Sequence, residues 1–357
     1  MCGPMHRLNH YVPRSYLKRW AHGESKVWTY RVLVSHGHMP FWRAMSRRSV
    51  AYHEHLYTQI VASGESDEIE RWLDAEFEAP AEPVIERAVA DQRLSRADWK
   101  VLVRFFAAQD LRTPARLVEN LKRWSATLPG LMQKSLSQSV SRLSHMSAEA
   151  RARLTAASSQ RHDGPFRVSV GHDAVSSETY LKAETISGRG LWLWSMRHAL
   201  TNTSRVLLQH RWTILTPPPG ITWLTSDDPA IRLNFNGPTD YTFGGGWGSV
   251  GTDLLLPLGP RHMLFTQVGK QVPPRGAAFD LEKSLLLQRF TAEHAHRYIF
   301  ALTPDQSVQT LCPRTVDAQR LRQETQDWQH WHAEQASAER SLLNARQADA
   351  EAPDGRP

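Results

Sequence analysis

Cysteine is almost missing from this chain: only Cys2 and Cys312 occur in 357 residues. Two thiols so far apart make neither a disulfide framework nor a zinc-finger spacing, and the simple expectation is a reducing cytoplasm. Long apolar runs are missing too. None approaches the roughly 18 residues that a membrane-crossing helix needs, so no membrane span is expected. The opening MCGPMHRLNHYVP has no apolar core of the signal-peptide kind, and Cys after the initiator Met breaks the myristoylation pattern. There is no Walker loop, no dinucleotide GxGxxG, no nucleophile elbow and no HExxH. These absences argue against nucleotide-dependent kinases, dehydrogenases and α/β-hydrolases. The glycine-rich GGGWGSVG at 244–251 lacks the strand-before, helix-after setting of a phosphate loop and reads as a flexible loop around one Trp.

What is present is ordinary for a globular chain: 41% hydrophobic and 22% charged residues. Thirteen Trp is many; most should pack into cores, leaving some for a binding face. The net charge of +7 is unevenly spread. Residues 1–50 carry nine Lys/Arg against Glu24 alone, residues 51–110 carry thirteen acids against six bases, and residues 111–161 nine bases against two acids. Such blocks either draw a polyanion to one face or pair with each other as solvated helix faces.

KVWTYRVLV at 26–34 alternates as a strand does. A helix is expected near Asp67, where Asp67 and Glu70 have capping-box spacing and Ile69, Trp72, Leu73 and Phe77 follow at helical intervals; Pro80 and Pro83 would kink or interrupt it. SRAD at 95–98 starts a second helix with Val101, Leu102, Phe105 and Phe106 as its stripe. Thr113 is an N-cap before Pro114 at the first helical position. Residues 130–160 read as a less tightly packed helix, and 190–210 as another helix. RWTILT, TWLTS, PAIRLN, TDLLLPL and HMLFTQV are then short strands separated by Pro and Gly. Helix returns at 280–297, followed by the strand RYIFAL. The expected fold is α+β: a helical middle segment packed with a mixed sheet built from N-terminal and C-terminal strands. Residues 1–313 would form one integrated domain, 314–347 a C-terminal helix and 348–357 a disordered tail.

Four motifs carry a family resemblance. HYVPRSYLKRW at 10–20, RTP at 112–114, RWTIL at 211–215 with TSDDP at 225–229, and LPLGP at 256–260 resemble, in order, the motifs of the mostly bacterial domain of unknown function 4238. Asp228 stands where Asn is usual in that family, and Gly259 where Ser is usual. The resemblance implies a shared fold; it brings no established activity with it.

Candidate chemistry centres on TSDDP. Asp227, delivered by a strand end, suits a hard metal ion or general-base work; equally, an Asx-type turn ahead of Pro229 explains it. Asp227 is the better candidate for charge-dependent work, and Asp228 for the turn. His10 reads as a base, a metal ligand or a donor to phosphate, or else as a satisfied core histidine. Tyr11 and Tyr16 read as packing aromatics. Arg14, Lys18 and Arg19 suit a phosphate-rich ligand. Asp67, Glu70 and Asp74 share a helix face, and Glu70 could complete a metal site with Asp227. His53 and His55, like His294 and His296, have no third ligand in sequence for zinc. Arg112 before the Thr-Pro helix start suits a bound phosphate, or an ion pair with the acidic helix. The expected function is a metal-dependent phosphodiesterase or nuclease acting on nucleic acid, or another polyanion, with little sequence specificity. His10 and Asp227 would be catalytic, Asp227 and Glu70 would hold Mg or Mn, and Arg14, Lys18 and Arg112 would bind substrate. The alternative is a non-catalytic binding protein whose motifs are structural.

Overall fold

The computed structural model describes residues 5–23, 25–147, 149, 150, 153, 164–172 and 179–351. The fold is α+β, and packing gathers the chain into two units: residues 1–58, 67–116 and 196–332 in the first, and residues 59–66, 117–195 and 333–357 in the second.

The first unit holds two five-stranded sheets. One joins the two ends of the chain, as the strand positions predict. Lys26–Arg31 is its central strand, flanked by Trp42–Ser46 on one side and, end to end, by Ala21–His22 and Tyr298–Ala301 on the other; Thr225–Ser226 adds to the far edge of Tyr298–Ala301. Every pairing in it is antiparallel. A parallel pairing lies elsewhere, between Thr315–Val316 and Leu33–Val34. The second sheet is local to the strand-rich stretch and runs Thr213–Leu215, His262–Gln267, Asp253–Gly259, Ile231–Gly237, Asp240–Thr242. Short connections make antiparallel neighbours the accessible solution, so most of this stretch closes on itself and only its Thr225–Ser226 joins the first sheet. The continuous apolar run LLLPL is buried throughout, as such runs are in a sheet covered on both faces. Trp223, Ile231, Leu233, Leu255 and Met263 pack there against Leu287 and Phe290 of the Leu281–His294 helix.

Helix starts follow their capping chemistry. Ser95 and Asp98 form the reciprocal box that opens Arg96–Leu111. Asp67 occupies the N-cap of Glu68–Leu73, yet its side chain makes no capping bond to that helix's backbone; Oδ2 takes the His6 N–H at 3.0 Å, and Oδ1 pairs with Arg71 at 2.7 Å. The two prolines do not break the chain that follows. A π-turn at Asp74–Glu78 precedes Ala79–Val89, which runs through Pro83. At the C-terminal end, residues 315–316 are strand where helix is expected, and the helix Ala318–Glu351 reaches into the expected tail. Residues 352–357 lie outside the described residues, as does much of 148–163. The loop around Trp247 is pinned, contrary to its composition: the indole N–H donates to Asp110 Oδ2 at 2.7 Å, and the Trp247 carbonyl lies 2.6 Å from His210 Nε2.

Within the second unit, Phe166–His172 and Thr179–Thr185 form a hairpin. The buried Arg189 guanidinium grips Glu339 through Nε (3.2 Å) and Nη2 (2.8 Å). No described helix of the chain is long and apolar enough to cross a membrane.

Candidate functional site

The four motifs, scattered over some 250 residues, meet in one buried hydrogen-bonded network. The Tyr16 hydroxyl donates to the Pro257 carbonyl at 2.6 Å and meets Thr225 Oγ1 at 2.7 Å, joining HYVPRSY, LPLGP and TSDDP. Trp20 Nε1 donates to the Trp223 carbonyl, and the Trp223 N–H donates to Pro260. The Thr113 hydroxyl donates to Asp228 Oδ1 at 2.9 Å, tying RTP to TSDDP. Arg112 Nη2 donates to the His10 carbonyl at 2.9 Å, tying RTP to HYVP.

Asp227 is fully buried at the edge of the first sheet. Its Oδ1 accepts the N–H groups of His296 (2.9 Å) and Arg297 (3.1 Å); its Oδ2 accepts Arg297 N–H at 2.9 Å and faces the Tyr11 hydroxyl at 3.5 Å. Burial raises this carboxyl to about 6, against the opposing pull of the backbone N–H groups of Arg297, Tyr298 and His296. Asp228 takes the turn: its N–H donates to Ser226 Oγ, while its carbonyl and carboxylate face His294. His10 and Asp227 share no hydrogen bond. The His10 ring leans on Tyr52, with Nε2 at 3.4 Å from the Arg48 carbonyl. Burial, and then Arg14, lower its basicity.

Glu70 shares no hydrogen bond with Asp227, whose carboxylate oxygens are taken by backbone N–H groups; the charge that acts on Glu70 is that of Arg112. Arg112 is wholly buried and already engaged: Nη1 with Glu78, Nη2 with His10 and Nε with the Tyr57 hydroxyl at 3.2 Å. Lys18 bridges Glu82 (2.6 Å) and Glu86 (2.5 Å), and Arg14 is exposed on the surface. Arg104–Glu76 and Arg197–Glu68 add pairs to the acidic stretch from within it and from a later helix. Lys18 and Arg112, one from each basic block, are thus paired with the acidic block.

Glu70 also titrates unusually. Burial raises its carboxyl to about 7 despite the attraction of Arg112, and its buried Oε2 has no hydrogen-bond partner among the described residues. A carboxyl whose folded pKa is raised holds its proton more tightly when folded, so stability is lost as pH rises from about 4.5 through about 7. Glu70→Gln mimics the protonated form. It should flatten this limb of the pH–stability profile and gain on the order of 1–3 kcal/mol at pH 8, read by urea melts across pH 4–8.

Three residues bonded to the Asp227 carboxylate, Tyr11, His296 and Arg297, also line an open cleft. This cleft of about 460 Å³ is lined by Tyr11, Tyr52, His53, His296, Tyr298 and Trp328, with Arg31, Arg297, Glu54 and Glu324 among its polar residues. The His53 ring lies 4.0 Å from the Trp328 ring and 6.0 Å from Tyr11. Burial pushes the imidazoles of His53 and His296 each down to about 4, so both are neutral at pH 7. YHEHLY and HAHRYIF flag these histidines in sequence, but only as pairs with no third ligand. Trp328 sits in a polar helix and carries no local signal.

Two antiparallel sheets, helices packed against them, and motifs that meet in one buried network define an α+β fold. A family model described as "Protein of unknown function (DUF4238)" matches residues 9–305, and the chain belongs to that family. No curated protein and no solved structure matches it.

Proposed function

We propose that this is a non-catalytic binding protein, cytoplasmic as its cysteine usage suggests, whose ligand is a small planar molecule held in the aromatic cleft. One observation carries the reading: the motif carboxylate, Asp227, spends its acceptor sites on the backbone of His296 and Arg297 and on Tyr11. All three of those residues line the cleft. The motif therefore builds the wall of a site. A volume of about 460 Å³ falls within the usual range for small-molecule pockets, and rings at this density offer stacking partners.

The metal-dependent nuclease reading has less support. A divalent ion at Asp227 would have to displace N–H donors that have nowhere else to go. Imidazoles pushed to about 4 are weak bases for proton transfer at neutral pH. Lys18 and Arg112, two of the cations assigned to a substrate phosphate, are already paired with carboxylates.

The test is a ligand-observed NMR screen of planar aromatic fragments, run beside a cleavage assay on single-stranded DNA and RNA with Mg²⁺ and Mn²⁺. Fragments should bind, and Trp328→Ala should abolish their binding while the thermal midpoint stays within a few degrees. Metal-dependent cleavage that Asp227→Asn abolishes without loss of stability would overturn the proposal, as would a screen with no Trp328-dependent binder.

A further inference from the structure

Resting on that reading of the cleft, we infer that its ligand carries an anionic group, a phosphate or a carboxylate, that pairs with Arg31. Arg31 ends the central strand of the first sheet, in register with Tyr298 on the neighbouring strand. It is half-buried at the cleft, and no carboxylate or carbonyl among the described residues engages its guanidinium.

The other charges of the cleft are accounted for. Arg297 is held by Glu324 through both Nε (2.9 Å) and Nη2 (2.6 Å), and Arg320 takes the same carboxylate at 3.2 Å. Glu324 is therefore committed. Glu54 is exposed, where water screens it. His53 and His296 carry no charge at neutral pH but keep ring nitrogens that can donate to an oxygen anion. Among the described residues of the cleft, Arg31 is left as the cation without a counter-ion. It shares the cleft with Tyr298, Tyr11 and Leu33, and a charge in a partly apolar cleft is screened less than one in open water. A guanidinium fork matches the two oxygens of a carboxylate or phosphate, and the same cleft offers Trp328, His53 and Tyr52 to a ring. An aromatic or nucleoside-like anion satisfies both demands; a neutral ring satisfies only one.

The experiment uses two pairs of probes matched in ring and differing in charge: AMP with adenosine, and 1-naphthoate with 1-naphthalenemethanol, each titrated by calorimetry into the full chain. At least one anion should bind about tenfold or more tightly than its neutral partner, the scale of one charge-assisted pair. Arg31→Gln should remove that preference and leave the neutral probe's affinity unchanged. A preference confined to AMP identifies phosphate as the anchored group, and one confined to naphthoate identifies carboxylate. Equal binding of charged and neutral partners, or a preference that survives Arg31→Gln, overturns the inference while leaving the aromatic cleft standing. If no probe of either pair binds, the inference falls, and the fragment screen separately decides whether the cleft binds planar molecules. Arg31→Gln removes no described hydrogen bond, so circular dichroism and the thermal midpoint should match the parent.

Discussion

Arg112→Met is expected to cost about 3–5 kcal/mol of stability, read as a lower urea midpoint at an unchanged m-value. The guanidinium is fully buried and serves three acceptors: Glu78, the His10 carbonyl and the Tyr57 hydroxyl. It also lies over the Tyr57 ring, 5.4 Å from the centroid, while the Tyr57 hydroxyl donates back to the Arg112 carbonyl at 2.7 Å. Methionine fills most of the volume and satisfies none of this. Glu78 and Glu70 then face each other's charge without a cation, which raises both the desolvation cost and the repulsion. Arg112→Lys should fall between parent and Met, because a single ammonium cannot span three acceptors at fixed angles. Arg112→Met with Glu78→Met should recover part of the loss, since the orphaned carboxylate goes with its partner. If Arg112 were instead an open phosphate site, Arg112→Met would leave the midpoint nearly unchanged and weaken anion binding alone.

Much of the architecture is legible in local chemistry. Ser95 and Asp98 announce a helix start because their bonds are made within four residues. The alternation of KVWTYR announces a strand because side-chain direction has a period of two. The union of both chain ends in one sheet follows from strands at both ends that lack enough local partners. What fails is whatever depends on distant partners. Asp67 has the spacing of a capping box but takes the His6 N–H, sixty-one residues away. GGGWGSVG has the composition of a mobile loop and is anchored by Asp110, on a helix more than a hundred residues earlier. The motifs are visible, but their role is not. A carboxylate that binds a metal and one that binds backbone N–H groups are the same letter, and only the fold says which donors arrive. His53, His296 and Trp328 come from three segments, and no spacing in the chain links them.

Asp227→Asn carries the other large effect, an expected loss of about 2–4 kcal/mol. The carboxylate accepts from His296 and Arg297 on one oxygen and from Arg297 again on the other. An amide has one acceptor; whichever way it turns, its NH₂ group points at an N–H donor. The lost bonds are charge-assisted, and the N–H groups left behind are buried, so neither loss is repaid by water. Because those N–H groups belong to the cleft wall, affinity for cleft ligands should fall together with stability. Asp228→Asn is the matched control. Asp228 accepts from Thr113 at 2.9 Å and lies 3.6 Å from His294, geometry that an Asn oxygen can keep. Its cost should be under about 1 kcal/mol, in line with the Asn that the resembling family motif usually carries there. The two neighbours thus separate cleanly: one carboxylate whose charge the backbone requires, and one whose shape suffices. If Asp227→Asn instead melts like the parent, its bonds to the wall contribute little, and a chemical role for that carboxylate becomes the better explanation of the motif.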